Sequence, residues 1–213
     1  INASAEIRLM LDHRLDDIRD ELKKHQEFIT LSRNPVISRE YRQILQFIQA
    51  LQGQTPVRHD LSGNGLDLSE YIRQSREEGN DFGLCLALYH KMVLLFLYRK
   101  HEEALGAARE LDQHSAVFLG TIMIANHYFY YSLILIATLK EGGARRQRKY
   151  KSIIRRNLRM FKKWSDLCPE NFKHMHDLIA AELASLEGRF RPAVELYHTA
   201  INNAHNNDFL PIE

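Results

Sequence analysis

Apolar residues recur at three- and four-residue spacing along almost the whole chain, while the alternation of strands is nearly absent. Leu15, Ile18, Leu22, Phe28 and Ile29 are grouped on one helical face, and Tyr41, Ile44, Leu45, Ile48 and Leu51 on the next. Asn34-Pro35 marks the break between them. The longest gap in the pattern is GQTPVRHDLSGNG, from Gly53 to Gly65. LSEYIRQSREEG then reads as a helix with Ser69 as N-cap and Gly79 just past its end. DFGLCLALYHKMVLLFLYRK predicts a strongly apolar helix and HEEALGAARELDQH an amphipathic one. An uncharged run, the loop KEGGA, a basic helix and two more helices from Pro169 to His205 complete the pattern, about nine helices on short links.

Sequential helices on short links pack as antiparallel neighbours, and stacked pairs build an α-solenoid. In GRFRPAVELYHTAI, Gly188, Phe190, Ala193, Tyr197 and Ala200 match the second half of a tetratricopeptide repeat. In that half, small residues let two helices approach closely and the aromatic fills the gap to the next pair. YRKHEEALGAAREL places Ala104, Ala108 and Leu111 in the same register, but has Arg99 where Gly is usual and His101 where an aromatic is usual. The two matches lie 89 residues apart, not a multiple of the usual repeat length, so the array is degenerate. The expected fold is all-α: a right-handed α-solenoid of antiparallel helix hairpins. It forms one array over residues 1–213, with first hairpins in 1–52, a loop in 53–68, central hairpins in 69–139 and C-terminal hairpins in 144–213.

ALYHKMVLLFLYRKHEEAL, FYYSLILIATL and the stretch from Asn157 to Ala204 resemble the helical region of a family of very large signalling proteins. The resemblance runs from Tyr41 to Phe209, and its most specific part is W-x-x-x-CPENF at Trp164 to Phe172. Such proteins join a serine/threonine kinase-like domain, a predicted ATPase of the AAA/STAND type, a tetratricopeptide-like array, a GAF domain and a sensor histidine kinase. The resemblance implies a connector between ATPase and kinase modules and transfers no catalytic residue. Two features depart from it: the basic helix is more uniformly positive, and Pro211 interrupts the next helix start.

The uncharged run from Ala116 to Leu139 is long enough to span a bilayer. Against a span, Asn126 and His127 sit near its middle beside Tyr128, Phe129, Tyr130 and Tyr131, and tyrosine favours the membrane interface over the hydrocarbon centre. Gly120-Thr121 also resembles a helix start. The run is expected to lie inside the array, covered by amphipathic neighbours. INASAEIRLM lacks the form of a signal peptide, and the chain reads as a piece of a longer, cytoplasmic protein. Cys85 and Cys168 provide no disulfide framework.

Charged residues make up 26% of the chain and its net charge is +2, so bulk charge does not point to nucleic acid. Asp60, Ser62, Asn64 and Gly65 match the opening of an EF-hand loop, but the twelfth position is Tyr71, with Glu70 one place early; a turn between helices is the expectation. The histidines lack metal-ligand spacing, and no Walker A sequence or nucleophile elbow occurs. No cofactor, metal, nucleotide or catalytic residue is therefore assigned. The most distinctive charged feature is the helix from Ala144 to Trp164, with ten Lys/Arg and no acid. Because the whole chain is +2, the remaining residues carry −8. Arg145, Arg148, Lys149, Arg155, Arg156, Arg159, Lys162 and Lys163 form a candidate surface for an acidic partner, or a solvated face paired with acids such as those of the Glu77-Glu78 helix. His90, His127, Tyr128 and Tyr131 are candidates to line a small-molecule pocket between helices. The expected partners are proteins, first among them neighbouring domains of the same polypeptide.

Overall fold

The computed structural model describes residues 4, 5, 8, 9, 14–55, 57, 59–63, 65–142 and 147–209. Apart from a single bridge between Gly63 and Leu66, these residues form no β structure. Residues 4, 5, 8 and 9 are helical, and ten α-helices follow: α1 (Leu15–Lys24), α2 (Gln26–Leu31), α3 (Pro35–Leu51), α4 (Leu68–Glu77), α5 (Asp81–Leu97), α6 (His101–His114), α7 (Ile122–Lys140), α8 (Gln147–Leu167), α9 (Pro169–Leu186) and α10 (Phe190–Asn206). From α5 onward each helix packs on the one before it. The pairs α3–α5, α5–α7 and α7–α9 also touch across one intervening helix.

The helix starts follow from side chains able to accept the first free N–H groups. Asn34 Oδ1 accepts from the N–H of Val36 at 3.0 Å and Ile37 at 3.3 Å, with Pro35 at the first helical position. At α4 the cap is Asp67, not Ser69: its carboxylate accepts from the N–H of Ser69 at 2.9 Å and Glu70 at 3.1 Å. Ser69 is itself one of the capped donors. The face grouped over Leu15 to Ile29 is divided between two helices at His25. Ile18, Leu22 and Ile29 are buried, whereas Phe28 falls off their spacing and is 67% exposed.

Four of the links close in the same way. Gly53, Gly79, Arg99 and Gly188 take φ of +68°, +66°, +59° and +75°. In each case the next N–H reaches back five residues: Gln54 to Gln49 O (2.9 Å), Asn80 to Ser75 O (2.9 Å), Lys100 to Leu95 O (2.8 Å) and Arg189 to Ala184 O (2.9 Å). This is the glycine-favouring helix stop, and Arg99 occupies it without being glycine. Its backbone conformation therefore matches the repeat register even though its side chain departs from it.

The uncharged run is split by a 3-10 turn, Ser115–Phe118, before α7 begins at Ile122. Helix α7 is long and apolar enough to cross a membrane, yet 67% of its apolar stretch is buried inside the structure, where α5, α6, α8 and α9 pack on it. Helix α5 is likewise buried around nearly its whole circumference, from Gly83 to Leu95. The DLSGNG loop is a turn among its described residues: Asp60 Oδ1 accepts from Ser62 N–H at 2.9 Å, Gly65 takes φ +81°, and Glu70 pairs with Arg73. Asn64 lies outside the described residues. W-x-x-x-CPENF forms the α8–α9 corner, where the Trp164 ring packs between Phe161 (5.2 Å) and Phe172 (5.6 Å) and Pro169 opens α9.

Two substitutions probe these constraints. A Cβ at Gly83 would lie 2.8 Å from Tyr71 Oη and 2.5 Å from Asn80 Nδ2, so Gly83→Ala is expected to cost about 1–3 kcal/mol in urea unfolding by displacing the Tyr71 ring and the Asn80 side chain that caps α5. Arg99→Gly is expected to stabilise the chain by about 1 kcal/mol in the same measurement, because it relieves a left-handed backbone at an exposed side chain.

Candidate partner-binding surface

The small residues of the repeat register lie where helices meet. Ala104 and Ala108 of α6 and Ala193 and Ala200 of α10 are buried. Tyr197 is half-buried, and its Oη donates to Glu182 Oε1 of α9 at 2.7 Å. Lys140 of α7 donates to the other oxygen of Glu182 at 2.5 Å, so one carboxylate ties three helices. His101, at the aromatic position of the first match, is buried against Phe96 and pairs through Nδ1 with Glu141 Oε1 at 2.8 Å. Its counterpart Phe190 is 69% exposed. Val194 (53%) and Ile201 (64%) extend that exposed apolar stripe along α10.

Helix α8 separates its chemistry by face. Tyr150, Ile154, Asn157 and Phe161 are buried, and Ile153, Leu158 and Trp164 are half-buried. Asn157 donates through Nδ2 to Ser132 Oγ of α7 at 3.1 Å, and Ser132 donates to the carbonyl of Tyr128 at 2.7 Å. The outer face carries Arg148, Lys149, Arg155, Arg156, Arg159, Lys162 and Lys163, all exposed. Arg145 lies outside the described residues. Arg155 pairs with Glu187 at 3.1 Å, and Lys162 pairs with Asp166. Arg189 chiefly, and Arg155 after it, hold the Glu187 carboxyl below the ordinary carboxylate range. Arg148, Lys149, Arg159 and Lys163 enter no ion pair among the described residues. The acids offered as counterions are engaged elsewhere: Glu77 with Arg73 and Glu78 with Arg39.

The four pocket candidates fall into two packed clusters. His90 of α5 stacks on Phe47 of α3 at 4.0 Å, with Nδ1 2.5 Å from Gln43 Nε2. His127 of α7 stacks on Tyr131 at 5.6 Å and tilts against Tyr128 at 5.1 Å, with Nε2 3.4 Å from Asp112 Oδ1 of α6. That contact holds the Asp112 carboxyl below its ordinary range. Arg156 lies 6.0 Å from the Tyr128 ring, and Arg109 donates to Tyr150 Oη, so the polar seam of α6, α7 and α8 runs directly beneath the basic face. A cavity of about 30 Å³ beside Ile18, Leu22 and His25, and an open hollow of about 440 Å³ beside Lys23, Gln26 and Leu31, touch none of the four.

Sequence reasoning identified the cations but not their order. Arg148-Lys149, Arg155-Arg156 and Lys162-Lys163 recur every seven residues, a signal present in the sequence as RK, RR and KK. The polar seam gives a weaker signal, because its members come from three separate helices.

No protein-family model matches this chain, and neither a curated protein nor a solved structure matches it.

A buried base elsewhere makes stability depend on pH. His174 of α9 stacks on Phe209 at 4.4 Å, and its Nδ1 is buried with no partner among the described residues. Burial pushes its pKa down to about 4, against a partial opposing pull from Asp177. Between that value and the ordinary histidine range the unfolded chain binds the proton and the folded chain does not. Stability is therefore full above about pH 6.5 and falls as the pH is lowered toward 4, by about 1–2 kcal/mol once solvent screening of the part-exposed ring is allowed for. His174→Phe is expected to remove that component of the decline in thermal melts between these pH values.

Proposed function

We propose that this chain is a non-catalytic, tetratricopeptide-like solenoid that connects neighbouring modules of a large cytoplasmic signal-transduction protein. Those modules would be an ATPase and a protein kinase, and the array would transmit the state of one to the other.

One comparison within the chain carries the reading. Helices α6 and α10 share a register 89 residues apart and follow links of the same left-handed form. In α6, the positions corresponding to Phe190 and Val194 are His101 and Leu105, both buried with α7 packed on that helix. In α10 the same positions are exposed. An outer face covered in one repeat and bare in its counterpart fits a stacked array whose last helix meets a further module. The α8–α9 corner at W-x-x-x-CPENF and the residues resembling the large signalling family support the same context.

The test is made in the full-length protein that carries this chain. Replacing the array with a flexible Gly/Ser linker is expected to abolish the dependence of kinase output on the nucleotide state of the ATPase. Dependence that survives the replacement overturns the connector. The milder pair Val194→Asp with Ile201→Asp lies on exposed positions, so it is expected to leave the melting temperature of the array unchanged while weakening the coupling several-fold.

A further inference from the structure

The outer face of α8 has both order and uncompensated charge. Seven residues of helix rise about 10.5 Å. An α-helix drifts only about 20° over that interval. The three cation pairs Arg148-Lys149, Arg155-Arg156 and Lys162-Lys163 therefore form one row roughly 21 Å long, with Arg159 between the last two pairs. From Gln147 to Lys163 the only other exposed positions are Gln147 and Ser152. Five of the seven cations in the row enter no ion pair among the described residues, and the exposed pairs of Arg155 and Lys162 are of the weak kind that a partner carboxylate can replace. Glu187 would keep Arg189 if Arg155 turned to another anion.

The geometry points to a short acid-rich peptide segment as the occupant of this row. The inference rests on the connector reading above and assigns the chemistry of one partner. Three observations choose the occupant. The row matches about six or seven residues of extended chain in length. A bilayer or a nucleic-acid duplex extends well beyond it and would meet the rest of the molecule, which carries −8, including Glu170 on the adjoining helix α9. The row also offers little to insert into lipid or to stack on bases: Tyr150 and Phe161 are buried, Trp164 is half-buried between Phe161 and Phe172, and Leu167, one turn past Lys163, is a single exposed apolar side chain. A peptide in the polyproline II conformation, whose every third residue returns to the same face after about 9 Å, would bring carboxylates to successive cation pairs.

The probe is a fluorescently labelled octa-glutamate peptide, titrated into the whole chain and followed by anisotropy. Binding is expected at low ionic strength, weakening several-fold between about 50 and about 200 mM salt. Arg155→Glu with Arg159→Glu is expected to lower the affinity about tenfold or more. The control pair Arg42→Glu with Arg191→Glu makes the same change in net charge on exposed positions away from the row and is expected to have a much smaller effect. Melting curves of both variants separate loss of binding from loss of fold. The assignment is overturned by absence of binding at low salt, by equal losses in the two variants, or by an unchanged affinity in the α8 variant. It is also overturned if phosphatidylserine vesicles or a DNA duplex bind more tightly than the peptide through these same residues. Loss of peptide binding with nucleotide coupling intact would remove only this inference, whereas coupling that survives the linker replacement removes the connector itself.

Discussion

Two helices with no polar side constrain everything around them. Helices α5 and α7 carry apolar residues around nearly their whole circumference, and burial of such a surface is the main favourable term available to a helical chain. Neither can be covered by one neighbour. Each is enclosed by helices before and after it, which is why contacts reach across an intervening helix as well as between consecutive ones. The amphipathic helices take their positions from this requirement: α6 turns its apolar stripe toward α5 and α7, α8 turns its own toward α7 and α9, and both leave their charges outside.

Much of this was legible along the chain because it depends on local chemistry. Asn34-Pro35 starts a helix and Gly79 and Gly188 end helices for reasons contained within a few residues. The embedding of the uncharged run was legible too, since Asn126, His127 and four aromatic side chains suit a packed interior better than hydrocarbon. Arg99 is the instructive intermediate. Its side chain conceals a helix stop that its backbone adopts, so a pattern that asks for glycine undervalues the site.

What sequence reading missed depends on geometry between elements. Ser69 resembled a cap because its hydroxyl is of the right type, but Asp67 stands two residues earlier, where an acceptor can reach both free N–H groups. His90 and His127 are both apolar-run histidines by sequence, yet one completes the α3–α5 contact and the other the α6–α7 contact. The alternative that pairs the basic helix with acids of neighbouring helices is met at Arg155 and Glu187 and not at Glu77 and Glu78, which pair with Arg73 and Arg39.

The buried bond from Asn157 to Ser132 has a consequence for the surface above it. Sliding α8 along α7 by one turn would leave Ser132 bonded to the Tyr128 carbonyl but strand the Asn157 amide N–H in an apolar setting, at a cost of about 1–3 kcal/mol. Axial slippage is thereby blocked, and the height of every arginine and lysine on the exterior is indexed to a single amide in the interior. Electrostatic spacing outside becomes a rigid ruler, calibrated from within.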